Sequence, residues 1–225
     1  MMKSILMNEF VLYNYFRSST SYRTRIALNL KNAVYIYRGV HLINQGGEQF
    51  TEDYKRLNPL SEVPTLIHNG RSIAQSMAII EYLEDLIPTP ALFPKDIFLK
   101  AQVRQFCENI NSFMHPLSNL KVLEYLEQKF QITTVAKEAW VHEWFHRGFT
   151  ATENLLQKTS GLYCFADTVT AADVFLIPQV FSAQRYNFDF KKYPLVEKIN
   201  QAAIKLPEFM AAHPYKQPDT PAEFI

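Results

Sequence analysis

Four small hydroxyl residues stand in a row at Ser18, Ser19, Thr20 and Ser21, and their neighbours suggest what they could do. Before them, Val11, Leu12 and the first half of YNYFRSSTSYRTRIALNL (13–30) are β-branched and aromatic and read as a short strand. After them, Tyr22, Ile26, Ala27 and Leu30 share one helical face. A strand that turns on hydroxyls into a helix leaves free N–H groups at the helix start. That end carries partial positive charge and favours an anion. The glycines of a phosphate loop are absent, so a thiolate or a carboxylate fits. The same hydroxyls also serve as ordinary helix caps.

Two further stretches could hold parts of one ligand. Val63-Pro64 opens a strand, where a proline without an N–H is tolerated. A cis bond there would turn the N–H and C=O of Val63 outward to an extended peptide, although a trans proline at a strand start is the commoner case. Gln75-Ser76 stands at a second helix start, where the hydroxyl and free N–H groups hold a carboxylate or merely cap the helix. A thiol site, a backbone pairing site and a carboxylate site, in that order, fit glutathione.

These stretches need elements to carry them. Strands are expected over 10–16, 34–40, 63–68 and 71–74, the last two joined by the Asn69-Gly70 turn. Helices are expected over 21–31 and from Met77 to Leu86, with one or two helical turns in 49–57. From Ile97 onward only helical periodicity appears, over 97–114, 117–130, a Trp- and Phe-rich stripe ending at Gly161, a helix capped by Thr170-Ala-Ala-Asp173, and 194–206. The Pro-rich end, HPYKQPDTPAEFI, is expected to lie over the surface. Pro88 to Pro94 is the linker, so the domains are 8–88, small and α/β, and 95–225, all helical.

Bulk composition narrows the class. The 225 residues, 48% hydrophobic, can bury one large or two modest cores. A net charge of +1 gives no field that calls for nucleic acid or an acidic membrane surface. Cys107 and Cys164 are far apart and in no metal-ligand spacing, so no disulfide framework and no metal site are expected, and a reducing cytoplasm is. MMKSILMNEF lacks a secretory leader's apolar core, and no apolar run approaches the roughly 18 residues of a membrane span.

The residues also carry a specific resemblance. SSTSYRTRIAL (18–28) is similar to SSCSWRVRIAL, the first-helix signature of the zeta class of glutathione transferases. The likeness continues through LNPLSEVPTL (57–66), QSMAIIEYLE (75–84), PLSNLKVLEYL (116–126), TAADVFLIPQV (170–180) and QPDTP (217–221). It implies a thioredoxin-like N-terminal domain, an all-helical C-terminal domain, a homodimer, and glutathione as cofactor. By position it implies a catalytic set of Ser18, Ser19, Thr20 and Arg23. Glutathione would be bound by these with Ser21, Tyr22, Gln49, Val63, Pro64, Gln75 and Ser76. His115, Asn119, Leu120 and Lys121 would close the site from the helical side; the class commonly has Gln at the His115 position. Arg23 and Arg185 would hold a dicarboxylate substrate, although Arg23 also reads as a solvated helix residue and His115 as a helix end.

The activity so implied is cis–trans isomerisation of maleylacetoacetate to fumarylacetoacetate in tyrosine and phenylalanine breakdown. Transfer of glutathione to small α-halo acids and a non-catalytic binding module are the alternatives. Thr20 stands where the signature has Cys. That change tunes the site rather than removing it, because the attacking sulfur belongs to glutathione. Lowering a thiol pKa from about 8.5 to about 6.5 takes roughly 2.7 kcal/mol. A helix start supplies about 0.3–1 kcal/mol, up to about 2, and a hydroxyl hydrogen bond to a charged group about 1.5–3. Together they suffice.

Overall fold

The computed structural model describes residues 9–224. The start of the first domain at residue 8, the end of the second at 225 and most of the N-terminal leader reading lie outside them. The chain forms two compact units. One holds the chain up to Ala91 together with the segment from Leu206, and the other is Leu92–Lys205.

In the first unit, β1 (Phe10–Asn14) leads into α1 (Ser19–Leu30), followed by β2 (Tyr35–Gly39), α2 (Glu52–Leu57), β3 (Thr65–His68), β4 (Arg71–Ala74) and α3 (Ser76–Leu86). The sheet order is β2-β1-β3-β4. β1 is parallel to β2 and antiparallel to β3, which puts two fully buried residues, Leu12 and Leu66, opposite each other at the centre. The β3–β4 hairpin turns at Asn69 and Gly70, with φ of 52° and 72°, as a tight turn matched to strand twist requires. This is the thioredoxin-like arrangement. Three strands are shorter than expected: β1 gives way at Tyr15 because the chain turns there, the Ser18 N–H bonding the Tyr15 carbonyl at 3.1 Å, Val34 is exposed ahead of β2, and β3 begins at Thr65, after Val63-Pro64 rather than with it.

The amphipathic reading of α1 proves too simple. Tyr22 to Leu28 are all buried, Arg23 and Arg25 among them. The helix is covered by α3 and also by α10 (Pro207–Ala212), which arrives from the far end of the chain. Pro207 explains why the expected 194–206 helix breaks. It has no N–H to donate and drives Leu206 to an extended ψ of 136°, so α9 (Pro194–Ala203) ends and α10 begins.

The C-terminal segment is likewise no loose covering. Gln217 Nε2 donates to the carbonyls of Ala211 and His213 at 2.9 and 2.8 Å, and Thr220 Oγ1 to that of Pro214 at 2.8 Å. His213 Nδ1 accepts the Tyr215 N–H at 3.2 Å, which only a neutral ring can do. Burial, then Lys216 and Arg25, hold the His213 pKa below its ordinary 6.5. The unfolded chain therefore binds the extra proton first, and stability is lost as pH falls below about 6.5 toward the lowered folded value. Denaturant unfolding at a series of pH values should show this acid-side slope, and H213Q should flatten it.

The second unit contains α4 (Ile97–Glu108), α5 (His115–Leu117), α6 (Leu120–Phe130), α7 (Thr134–Thr159), α8 (Ala171–Gln184) and α9. The expected 97–114 helix is α-helical only to Glu108 and then continues as a π-helix over Asn109–Met114. Asn109 Nδ2 ties that segment to α7, reaching Thr152 Oγ1 at 2.8 Å and the Gly148 carbonyl at 3.2 Å. Met114 packs where a Gly148 side chain would stand, and a Cβ there would come within 2.0 Å of Met114 Cγ. Gly148→Ala should lower the unfolding free energy by about 1–3 kcal/mol through overpacking, readable as a shifted urea midpoint.

The Thr170–Asp173 capping pattern forms as expected. The Asp173 carboxylate accepts the Thr170 and Cys164 N–H groups, both at 2.8 Å. Its full burial pushes the carboxyl pKa up, and these N–H bonds pull it back. Cys107 and Cys164 are both buried, and no disulfide forms among the described residues. No helix among these residues is long and apolar enough to cross a membrane.

Candidate functional site

Ser18 sits at the N-cap of α1 in extended conformation, and its Oγ accepts the Ser21 N–H at 3.2 Å. Thr20 Oγ1 lies 2.8 Å from Ser18 Oγ and donates to the Val63 carbonyl at 2.9 Å. A hydroxyl has one proton, so the directions follow. Thr20 directs its proton to Val63, and Ser18 therefore donates to Thr20. The relay runs Ser21 N–H, Ser18, Thr20, Val63 C=O. α1 has no acidic residue in its first turn, so its positive end is left for an external anion.

The relay decides what Thr20 does. Its hydroxyl joins the start of α1 to the peptide beside Pro64, which a Cys thiol, a weak donor, would do less well. The Val63-Pro64 bond is cis, the geometry that base rates disfavour. The Val63 carbonyl accepts from Thr20 and keeps a second lone pair.

Ser21 and Tyr22 also make bonds within the fold. Ser21 is fully buried, and its Oγ accepts the Tyr15 N–H at 3.4 Å. Ser19 is buried too. The Tyr22 hydroxyl donates to the Phe209 carbonyl at 3.5 Å, and burial pushes its phenol well above the ordinary range.

Arg23 is not a solvated helix residue. It is fully buried, and its Nη1 donates to Ser76 Oγ at 3.3 Å. Ser76 starts α3 behind Gln75, which has a φ of 72° and makes no side-chain cap. A non-glycine residue at positive φ is held by its surroundings and marks a constrained site. With the Ser76 oxygen accepting from Arg23, its own proton is left to point at an anion. Gln49 is buried, with Nε2 donating to the Leu42 carbonyl at 3.1 Å and Oε1 without a partner. Gly47 is fixed beside it by a φ of 97°, and a Cβ there would stand 2.5 Å from Gln49 Nε2.

In the second unit, His115 opens α5 directly after the π-helix. Asn119 caps α6, accepting the Lys121 N–H at 3.2 Å, and its Nδ2 lies 3.4 Å from His115 Nε2. Leu120 and Lys121 are exposed. Arg185 is exposed at the C-terminal end of α8.

Sequence reasoning missed Arg25 and Asp219. Arg25 is fully buried between the start of α1 and α10, donating to Asn14 Oδ1 and to the carbonyls of Tyr15, Phe16 and Ala212 at 2.9, 3.3, 2.9 and 3.1 Å. Burial drives its pKa down, and Tyr37, Tyr35 and Asp219 oppose that.

Comparison with known proteins agrees with this geometry. The family described as Glutathione S-transferase, N-terminal domain, matches residues 17–86. The maleylacetoacetate isomerase of Rattus norvegicus is 46% identical over 95% of this chain and 96% of its own. The holo structure of a maleylpyruvate isomerase, a bacterial glutathione S-transferase of the zeta class, superposes with a TM-score of 0.91 at 42% identity, covering 94% of this chain and all of its own. The maleylacetoacetate isomerase of Anaeromyxobacter dehalogenans 2CP-1, with glutathione bound in its active site, gives 0.85 at 38% identity over 95% and 98% of the two chains. With the hydroxyl relay at the α1 start, identity at this level across nearly the whole length means that the chain belongs to the zeta class of the glutathione transferases.

Proposed function

We propose that this enzyme isomerises maleylacetoacetate to fumarylacetoacetate with glutathione as cofactor, in tyrosine and phenylalanine breakdown. The observation that carries the reading is Ser18 at an uncompensated helix start, with its proton on Thr20 and within reach of an incoming anion. The residues fit glutathione at three points: Ser18 for the sulfur, Ser76 backed by Arg23 for a carboxylate, and the orphan Gln49 acceptor for an N–H donor. When bound, glutathione supplies a sulfur nucleophile whose reversible addition makes the cis double bond single, so that it rotates and re-forms trans.

The chain's own residues do the rest. Ser18 swings its proton from Thr20 to the anion, a small rotation about one bond. Thr20 keeps its own proton on Val63 and so holds that peptide still. Arg23 acts through Ser76, because its burial keeps it from direct contact with a substrate in solvent. Arg185, exposed and always charged, is the cation for a substrate carboxylate. His115, Asn119, Leu120 and Lys121 supply the helical side. In this reading the first unit, which takes in the segment from Leu206, holds glutathione, and Leu92–Lys205 holds the second substrate. The enzyme works in the cytoplasm as a homodimer, which rests on class membership and is checked by sedimentation.

The test is turnover of the cis substrate with glutathione well below stoichiometric amounts. Trans product in large excess over glutathione, with no conjugate, is the expected result. Consumption of glutathione into a stable conjugate would favour the transferase reading, and absence of both reactions would leave a binding module.

A further inference from the structure

We propose that the C-terminal segment works as a positioning device for Ser18, with Asp219 as its acting residue. The chain between β1 and α1 is short and irregular, and two long-range groups fix it. Arg25 holds the carbonyls of Tyr15 and Phe16 from within the unit. Asp219 Oδ2 accepts the Phe16 N–H at 3.0 Å, across 203 residues of sequence. Its Oδ1 accepts the Tyr37 hydroxyl of β2.

Asp219 therefore joins β2 to the loop two residues before Ser18. Asp219 packs close over β2 at Gly39, where an added Cβ would meet Asp219 Cβ at 3.4 Å, ordinary van der Waals contact. The segment bearing Asp219 is itself rigid, because Gln217 and Thr220 staple it to the end of α10 and the turn that follows. A carboxylate suits this place. It accepts two bonds at once, each strengthened by its charge, and that charge supports the buried charge of Arg25, the other group that grips the loop. Ser18 must sit within a fraction of an ångström of its working place to bond a thiolate, so freeing Phe16 misplaces it without touching the site's own side chains.

This inference rests on the reading that Ser18 stabilises the bound thiolate. The experiment titrates the thiol of bound glutathione by its ultraviolet absorbance in wild type, S18A, D219A and D219N, and follows hydrogen exchange of the Phe16 amide. S18A should raise the titration midpoint. D219A should raise it by about one pH unit, a roughly tenfold fall in the thiol's acid dissociation constant, and speed Phe16 exchange. D219N keeps one acceptor oxygen and the side-chain volume, so it reports even where D219A fails to fold. It should shift the midpoint in the same direction by less. An S18A shift with wild-type midpoints or wild-type Phe16 exchange in the Asp219 variants overturns the positioning role alone. A wild-type midpoint in S18A overturns the Ser18 reading, and the positioning role with it.

Discussion

Ser18→Ala should cut kcat/KM for the isomerisation by about tenfold to a hundredfold while costing only about 1 kcal/mol of stability. The two effects have separate origins. As N-cap, Ser18 satisfies the Ser21 N–H, and loss of such a cap lies in the range of about 0.5–2 kcal/mol. As donor, it contributes a hydrogen bond to a charged sulfur, about 1.5–3 kcal/mol of stabilisation that exists only with the anion in place. A helix start by itself supplies about 0.3–1 kcal/mol. The remaining thiolate would be a minority species at neutral pH, and the rate follows its population. Steady-state kinetics beside a urea titration measure both quantities, and equal falls in activity and stability would reduce Ser18 to a cap.

The largest effect on folding is expected at Arg25→Met, a loss of at least about 3 kcal/mol. The guanidinium is fully enclosed and donates to Asn14 Oδ1 and three backbone carbonyls. Methionine fills much of the volume but donates nothing, and each buried acceptor left unpaired costs about 1–3 kcal/mol. Loss of a buried charge recovers part of that, since burial already works against the charged form. R25K should recover little, because an ammonium cannot reach both the loop carbonyls and Ala212 as a planar fork does. The urea midpoint should fall at nearly constant slope. A wild-type midpoint would mean that these bonds contribute nothing net.

What the sequence made legible was local. The hydroxyl run announced the start of α1 because caps are written in adjacent residues. Asn69-Gly70 announced the hairpin because few other pairs accept two positive φ values. Thr170 and Asp173 announced α8 because a capping box is written within four residues. The long-range devices left no such trace. Arg25 in a helical pattern reads as a surface cation until α10 is known to cover it, and α10 lies almost two hundred residues on. Asp219 falls in a Pro-rich stretch that reads as surface chain, yet its partners are Phe16 and Tyr37. The π-helix at Asn109–Met114 has the periodicity of the α-helix it continues, and only Gly148 on α7 explains where Met114 goes. Gln75-Ser76 read as either a carboxylate site or a plain cap, and the positive φ of Gln75, with no side-chain cap, was not legible in the residue types. The isomerase reading itself needed the resemblance, because three caps in a row do not name a substrate.

The most direct measurement is a crystal structure of the enzyme with glutathione. The sulfur should lie within hydrogen-bonding distance of Ser18 Oγ at the start of α1, with a carboxylate of the tripeptide on Ser76 and the Thr20–Val63 bond retained. A cysteinyl side chain turned away from Ser18, or glutathione seated elsewhere, would contradict the account.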